Sequence, residues 1–131
     1  MSAWIILVTL GALLLYFYMG LQVGSARSKY NVPAPAISGN PDFERVFRVQ
    51  MNTLEWLPLY LVALWTCAMY WDPRVVAAIG AVWIVGRLIY MHGYLIAANQ
   101  RSLGFAIQGV TVIVLFVGSL VGAIMSLVNG G

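Results

Sequence analysis

The sequence predicts an all-α integral membrane protein that folds as a single bundle of four transmembrane helices. Of its 131 residues, 62% are hydrophobic and 8% are charged, whereas a soluble domain normally carries about 25% charged residues. The mean hydropathy is +0.88, and the apolar residues are gathered into four long segments. The basic residues behind the net charge of +3 are scattered between these segments, so we expect no nucleic-acid partner.

The first predicted span covers residues 3–23, which include no charged side chain. Its 21 positions are enough to cross about 30 Å of hydrocarbon at about 1.5 Å per residue. The segment lacks the basic start of a signal peptide, so we expect it to be retained. The sequence SARSKYNVPAPAISGNPD follows, and we expect it to form a loop because its prolines favour extended backbone.

The second predicted span covers residues 42–71 and begins with strong helix-start signals. Asn40 can cap the helix, and Pro41 suits the first helical position. Acidic residues in the first turn suit the positive end of the helix dipole. Pro58 should kink this helix, because proline removes a backbone hydrogen bond from the helix interior.

The third and fourth predicted spans cover residues 73–98 and 103–128. Asp72 and Pro73 repeat the pattern of a capping residue followed by proline. The connections on either side of the third span are very short, so spans two, three and four must be antiparallel neighbours. The fourth span carries a GxxxG spacing at Gly118 and Gly122, which lets helices approach closely.

The distribution of basic residues predicts the orientation. The ends that hold the first and third loops carry five lysine and arginine residues, and the opposite side carries only Arg74. Because the basic loops stay in the cytoplasm, both termini are predicted to lie outside it. The five residues are Arg27, Lys29, Arg45, Arg48 and Arg101.

The first half of the second span is ionic, although the second half is apolar. At about 100° per residue, Glu44, Arg48, Asn52 and Glu55 fall within an arc of roughly 80°, and Gln50 points at least ~120° away from them. An ionisable group near the bilayer centre costs ~3 kcal/mol. Two interpretations follow: these side chains neutralise one another through ion pairs of Arg48, or they line a hydrophilic pocket.

The third span offers a matching polar face. Arg87, Tyr90 and Tyr94 share one side of it, and Arg101 falls on the same side if the helix continues. Tyrosines near a helix end often form a belt at the membrane interface, and this is the alternative interpretation of Tyr90 and Tyr94. Arg87 lies within the span and needs an acidic partner, for which the carboxylates of the second span are the candidates. Such a cationic site suits a small zwitterionic or anionic solute.

These residues carry a resemblance to a known family. The runs FERVFRVQMNTLEWLPL, RLIYMHGY ending in NQR, and QVGSAR resemble the MAPEG family, the membrane-associated proteins in eicosanoid and glutathione metabolism. The pattern E-R-x-x-R-x-x-x-N-x-x-E at the start of the second span is specific. The resemblance covers nearly the whole chain and is closest to the glutathione transferase and leukotriene C synthase branches, so we expect a bacterial member of that kind.

The resemblance implies a homotrimer that binds glutathione between neighbouring subunits, on the cytoplasmic side. One subunit would contribute most of the contacts, and the next would contribute Arg27 and Gln50. Arg87 is included as a candidate ligand-binding residue from the polar face described above. Trp56 stands where the leukotriene C synthase has a tyrosine, so a phenol contact would be lost or replaced there. The remaining binding residues implied by position are Arg48, Asn52, Glu55, Tyr90 and Tyr94.

In enzymatic members of that family, an arginine at the position of Arg101 stabilises the glutathione thiolate. A guanidinium beside the sulfur lowers a thiol pKa that is otherwise about 8.5. The resemblance thus implies conjugation of glutathione to lipophilic electrophiles that arrive from the bilayer, with reduction of lipid hydroperoxides as a further activity. Glutathione would be a co-substrate, and no metal is expected. The alternative for Arg101 is a basic loop anchor.

Positions at which this sequence differs from the family pattern help to distinguish between the functions found in the family. Ser28 and Lys29 replace the second arginine of the leukotriene C synthase, which favours a broad glutathione transferase. The alternative function is a non-catalytic lipid-binding protein like the 5-lipoxygenase-activating branch. That branch lacks the arginine matching Arg48 and has aspartate at Glu55, so this chain is closer to the enzymes. A small multidrug exporter is disfavoured, because the first span holds no carboxylate.

Two further side chains, Cys67 and His92, have the chemistry of reactive groups. Cys67 is the only cysteine and lies in an apolar run, so we expect a small core residue and not a nucleophile. His92 lies between the two tyrosines but at least ~100° away from them on the helix, so we expect a packing or interfacial role.

Overall fold

The computed structural model describes residues 1–96 and 101–130, and these residues form four helices. The helices are α1 (Ala3–Tyr30), α2 (Pro41–Ala68), α3 (Pro73–Ile96) and α4 (Ser102–Val128). The all-α prediction is therefore confirmed for the described residues. By length and composition, α1, α3 and α4 are apolar enough to cross a membrane. The polar residues of α2 keep it out of this group, so its crossing of the bilayer stays a prediction.

The boundary of the first helix was predicted wrongly. α1 continues past residue 23 to Tyr30, so the first part of the expected loop is helical. Nothing between Gly24 and Tyr30 stops a helix, and basic residues in the last turn suit the negative end of its dipole. The helix ends at Asn31, which adopts the left-handed conformation with φ 56° and closes the last turn through a backbone hydrogen bond to Arg27.

The predicted helix starts of α2 and α3 are confirmed. The side chain of Asn40 accepts hydrogen bonds from the backbone N–H groups of Asp42 and Phe43, at 2.9 and 3.0 Å. Asp72 accepts one from the backbone N–H of Arg74 at 2.9 Å. α2 ends at Ala68, before the predicted end at residue 71. α3 is described to residue 96, and its predicted end at residue 98 lies outside the described residues.

α2 and α3 form the centre of the bundle, and each packs against α1 and α4. In the middle of the bundle, the rings of Tyr60 and Trp83 stack with centroids 4.0 Å apart. Both side chains are fully buried. A second cluster of buried residues, which includes Val49, Tyr90 and Tyr94, lies toward the end where α1 and α3 finish and α2 and α4 start.

α3 and α4 approach each other closely at this same end of the bundle. A methyl group on Gly104 would lie 2.5 Å from the Cα of Tyr90 and 2.7 Å from the carbonyl oxygen of Gly86. A side chain at this position would therefore overlap the backbone of α3. Gly118 and Gly122 of the GxxxG spacing also lie at a helix contact, because methyl groups there would meet Cys67 and Tyr70 respectively.

Candidate functional site

A cavity of about 710 Å³ lies at the end of the bundle where α2 and α4 start. Its volume is within the usual range of about 300–1,000 Å³ for small-molecule sites. Three helices and the loop after α1 contribute its walls, and we call it the polar cavity. The lining residues are Ile37, Phe47, Arg48, Met51, Asn52, Glu55, Tyr90, Tyr94, Arg101, Ser102, Phe105 and Ala106.

The polar face of α2 opens into this cavity. Arg48, Asn52 and Glu55 all line it, as the helical spacing predicted. They lie along successive turns of one regular helix, so their order along the wall is fixed by the backbone. Glu44, the first member of the predicted arc, is not among the lining residues.

The charged groups of the polar cavity do not neutralise one another. Within residues 1–96 and 101–130, neither Arg48 nor Glu55 has an oppositely charged group within 4.0 Å, and both are exposed. The ion pairs that this part of the chain does contain join neighbours at helix starts, Arg45 with Asp42 and Arg74 with Asp72. The self-neutralised interpretation of the α2 residues is therefore not what the described structure shows.

The opposite wall is aromatic and carries a third charge. Tyr90 and Tyr94 are 3% and 6% exposed, with ring centroids 5.5 Å apart. The guanidinium of Arg101 lies 5.5 Å from the centroid of the Tyr94 ring, a distance suited to a cation–π contact. Because both rings are buried against the cavity, they do not form an exposed interfacial belt, which is the alternative interpretation of this pair.

Arg87 differs from its prediction in two ways. It is 0% exposed and does not line the polar cavity. Its predicted acidic partner is also wrong for the described residues, where no carboxylate lies within 4.0 Å. The guanidinium donates instead to Oδ1 of Asn52 at 2.9 Å and to Oγ1 of Thr53 at 2.6 Å. The rotation of α3 against α2 brings these neutral oxygens, and not a carboxylate, within its reach.

Arg27, Gln50 and Trp56, which were also predicted to bind the ligand, do not line the cavity of their own subunit. Arg27 donates to the carbonyl oxygens of Val32 and Ala36, at 3.3 and 2.7 Å, and thereby holds the loop that follows α1. Gln50 faces α1, where its Nε2 would lie 3.2 Å from a methyl group on Gly20. The contribution of Arg27 and Gln50 to a neighbouring subunit's ligand stays a prediction.

Trp56 also lies outside the lining of the cavity. Its ring meets the ring of Phe105 edge to face, with centroids 5.7 Å apart. Phe105 does line the cavity, so Trp56 supports the wall from behind. A direct ligand contact by Trp56 stays a prediction.

Sequence reasoning missed half of the lining. Four of these residues had a recognisable signal: two lie on α2 beside the predicted polar face, and two follow Arg101 at helical spacing in the first turns of α4. Predicting that Ser102 lines the cavity would have required knowing where α4 starts. Ile37 lies in a loop whose path the sequence does not determine. The missed residues are Ile37, Phe47, Met51, Ser102, Phe105 and Ala106.

The helices and the cavity define a small α-helical membrane protein with a cavity lined by charged side chains at one end of an apolar bundle. The sequence matches the MAPEG family over residues 5–121, and the chain belongs to this family. The resemblance seen in the sequence is thus confirmed. Membership of this family, together with the three apolar helices, identifies an integral membrane protein.

Several relatives have sequences similar to this chain. An uncharacterized protein of Synechocystis sp. is 47% identical over 124 residues, which cover 95% of this chain and 90% of the relative. Human microsomal glutathione S-transferase 2 is 41% identical over 104 residues, with 79% and 71% covered. Rat leukotriene C4 synthase is 43% identical over 94 residues, with 72% and 63% covered. The similarity to a cyanobacterial protein agrees with the expected bacterial source.

Proposed function

We propose that this protein is a membrane-bound glutathione transferase that conjugates glutathione to lipophilic electrophiles. The observation that carries the proposal is the polar cavity, whose charged groups have no ionic partners of their own among the described residues. A cavity with this property is suited to a ligand that brings the complementary charges. The names of the relatives, a glutathione transferase and a leukotriene C synthase, support the same ligand.

The charges of the cavity complement those of glutathione. The tripeptide carries two carboxylates and one ammonium group at neutral pH. Arg48 and Arg101 can bind its anionic groups, and Glu55 can bind the ammonium of the γ-glutamyl residue, through charge-assisted hydrogen bonds. Because the two signs lie on one ligand, the cavity selects a zwitterionic peptide over a simple anion or cation.

Arg101 is the proposed catalytic residue. Its guanidinium lies at the cavity wall, so it can stabilise the glutathione thiolate, which is the nucleophilic form of the thiol. The sulfur then attacks the electrophilic carbon, a C–S bond forms, and the leaving group departs with the electron pair. With a lipid hydroperoxide, the thiolate attacks the terminal oxygen and releases the alcohol, and a second glutathione converts the resulting sulfenic acid to a disulfide and water.

Assembly and orientation belong to the same proposal. A homotrimer would bring Arg27 and Gln50 of one subunit toward the ligand of the next. The basic residues at the cavity end favour a cytoplasmic location for the site, with both termini on the other side. Lipophilic substrates, which dissolve in the bilayer, would enter beside the apolar helices.

The test is a conjugation assay with the full-length protein in detergent, glutathione and 1-chloro-2,4-dinitrobenzene. We expect Arg101→Ala to lower kcat by about 100-fold, the scale of losing one preorganised charge-stabilising group. We expect Arg48→Ala mainly to raise the KM for glutathione, by about tenfold. Arg74→Ala is the matched control, because Arg74 is exposed near the start of α3 and lies outside the cavity.

The outcomes separate the alternatives. Full turnover by Arg101→Ala would show that this residue does not stabilise the thiolate, even if the protein is a transferase. Wild-type protein that neither turns over the electrophile nor gains thermal stability from glutathione would overturn the proposal. That result would favour the non-catalytic lipid-binding function of the 5-lipoxygenase-activating type.

A further inference from the structure

The buried Arg87 lies directly behind the wall of the polar cavity. Its side chain is fully buried, yet it contacts two residues that line the cavity. Nη1 donates to Oδ1 of Asn52 at 2.9 Å, and the guanidinium carbon lies 4.3 Å from the centroid of the Tyr90 ring. Nη2 donates at 2.6 Å to Oγ1 of Thr53, which is buried and does not line the cavity. Nε has no hydrogen-bond partner within the described residues.

The contact with Asn52 has only one possible direction. A guanidinium has five N–H donors and no acceptor, so the amide must turn its oxygen toward Arg87. The amide nitrogen of Asn52 then faces another way, and within residues 1–96 and 101–130 it donates no hydrogen bond. Since Asn52 lines the cavity, its two N–H groups are available to a ligand there.

We propose that Arg87 is a positioning residue that makes Asn52 a hydrogen-bond donor to an acceptor oxygen of glutathione. This inference rests on the proposed function, because it assigns one group of that ligand to one wall of the cavity. Without Arg87, the amide could rotate and present its oxygen to the same ligand atom, which would replace an attraction by a repulsion.

The charge of Arg87 indicates which acceptor is favoured. No carboxylate of the described residues lies within 4.0 Å of it, and the side chain is fully buried, so its charge is poorly screened. A bound anion just beyond Asn52 would therefore gain from this charge. A carboxylate oxygen of glutathione is favoured over a peptide carbonyl oxygen for that reason.

Substitutions of Asn52 test the direction of the hydrogen bond while leaving Arg87 in place. Asn52→Asp keeps the oxygen that accepts from Arg87 but removes the donor, whereas Asn52→Leu removes both. For Asn52→Asp we expect a Tm without glutathione equal to or above that of the wild type, and an affinity for glutathione lowered at least about tenfold. Asn52→Leu should lower both the Tm and the affinity for glutathione. Because leucine is uncharged, a loss of affinity in this variant would show that the loss in Asn52→Asp is not caused only by repulsion between carboxylates.

A double-mutant cycle tests whether Arg87 acts through Asn52. Arg87→Met should weaken glutathione binding, measured by calorimetry, by about tenfold in the wild-type background. In the Asn52→Leu background the loss should be clearly smaller, because only the direct attraction between the charge of Arg87 and the bound carboxylate remains to be removed. Thr53→Val is the matched control, because it removes the other acceptor of Arg87 without altering the cavity wall. It should lower the Tm and keep the affinity within about twofold.

The results separate this inference from the proposed function. If the wild type binds glutathione and Asn52→Asp binds it as tightly, the donor role is wrong while the transferase proposal stands. Equal losses from Arg87→Met in both backgrounds would assign Arg87 a general structural role and also overturn the inference. If the wild type does not bind glutathione, both fail together. The Asn52 variants retain Arg87, so a failed donor role would overturn the inference even if Arg87→Met does not fold.

Discussion

The close contact between α3 and α4 at Gly104 predicts a large effect for a single methyl group. In Gly104→Ala the new Cβ would lie 2.5 Å from the Cα of Tyr90 and 2.7 Å from the carbonyl oxygen of Gly86. Carbon atoms pack favourably at about 3.5–4.0 Å, so the two helices must separate locally by at least about 1 Å. Both opposing atoms belong to backbone, and a flexible side chain cannot absorb the overlap.

The expected consequences of Gly104→Ala follow from that displacement. Overpacking of this kind costs about 1–3 kcal/mol, which corresponds to a fall in Tm of roughly 4–12 °C for a chain of this size. The displacement also moves Tyr90 of α3 relative to the start of α4, where Arg101 and Phe105 line the same cavity. Since misplacement by about 1 Å can cost about 100-fold in rate, we expect turnover to fall by at least about tenfold.

Gly109→Ala supplies the matched control within the same helix. A methyl group on Gly109 meets nothing within 4 Å, and alanine is favoured over glycine in a helix by about 1 kcal/mol. Its Tm should be equal to or above that of the wild type, with unchanged turnover. Thermal unfolding in detergent and the conjugation assay measure both variants. A Gly104→Ala protein as stable and active as Gly109→Ala would refute the inferred helix contact.

Two further predictions concern buried side chains away from the cavity. Cys67→Ala should keep turnover within about twofold of the wild type, because the buried thiol lies in the apolar core and is too enclosed to act as a nucleophile; a large loss of activity in the conjugation assay would contradict this. Trp83→Phe should lower stability by about 1–3 kcal/mol, because Nε1 of Trp83 donates to the buried Oε1 of Gln108 at 3.1 Å. Trp71→Phe removes an N–H donor at a more exposed site and should cost less. Chemical denaturation measures the stability of both variants, and an equal loss in the two would show that burial does not increase the cost of the lost hydrogen bond.

The helices of this protein could be predicted from local signals where the deciding interactions are local. Capping by Asn40 and Asp72 depends on residues two or three positions away, and the sequence contains those partners. The end of α1 could not be predicted from hydropathy, because hydropathy shows only the length of the apolar segment that crosses the bilayer. The helix itself ends where a capping residue satisfies its last carbonyl groups. Here the closing residue is Asn31, in a left-handed conformation that the hydropathy pattern does not reveal.

The candidate site likewise contains features that local sequence signals predict and features that depend on packing between helices. Helical spacing alone places Arg48, Asn52 and Glu55 on one face, so that wall of the cavity could be predicted. The partner of Arg87 could not, because it depends on the rotation of α3 against α2. Charge matching pointed to a carboxylate, whereas packing placed the oxygens of Asn52 and Thr53 within reach.

The unpaired charges of the cavity constrain how deeply it can lie in the membrane. An ionic group costs ~3 kcal/mol near the bilayer centre, so Arg48 and Glu55 require contact with water when no ligand is bound. The part of α2 beyond Glu55, from Trp56 to Ala68, is about 20 Å long, against about 30 Å of hydrocarbon. If α2 crosses the bilayer, Glu55 therefore lies some 10 Å below the surface of the hydrocarbon, at the floor of a water-filled cavity. Under the proposed function, the ammonium group bound by Glu55 would lie at that depth, whereas the thiolate would lie beside Arg101 at the start of α4.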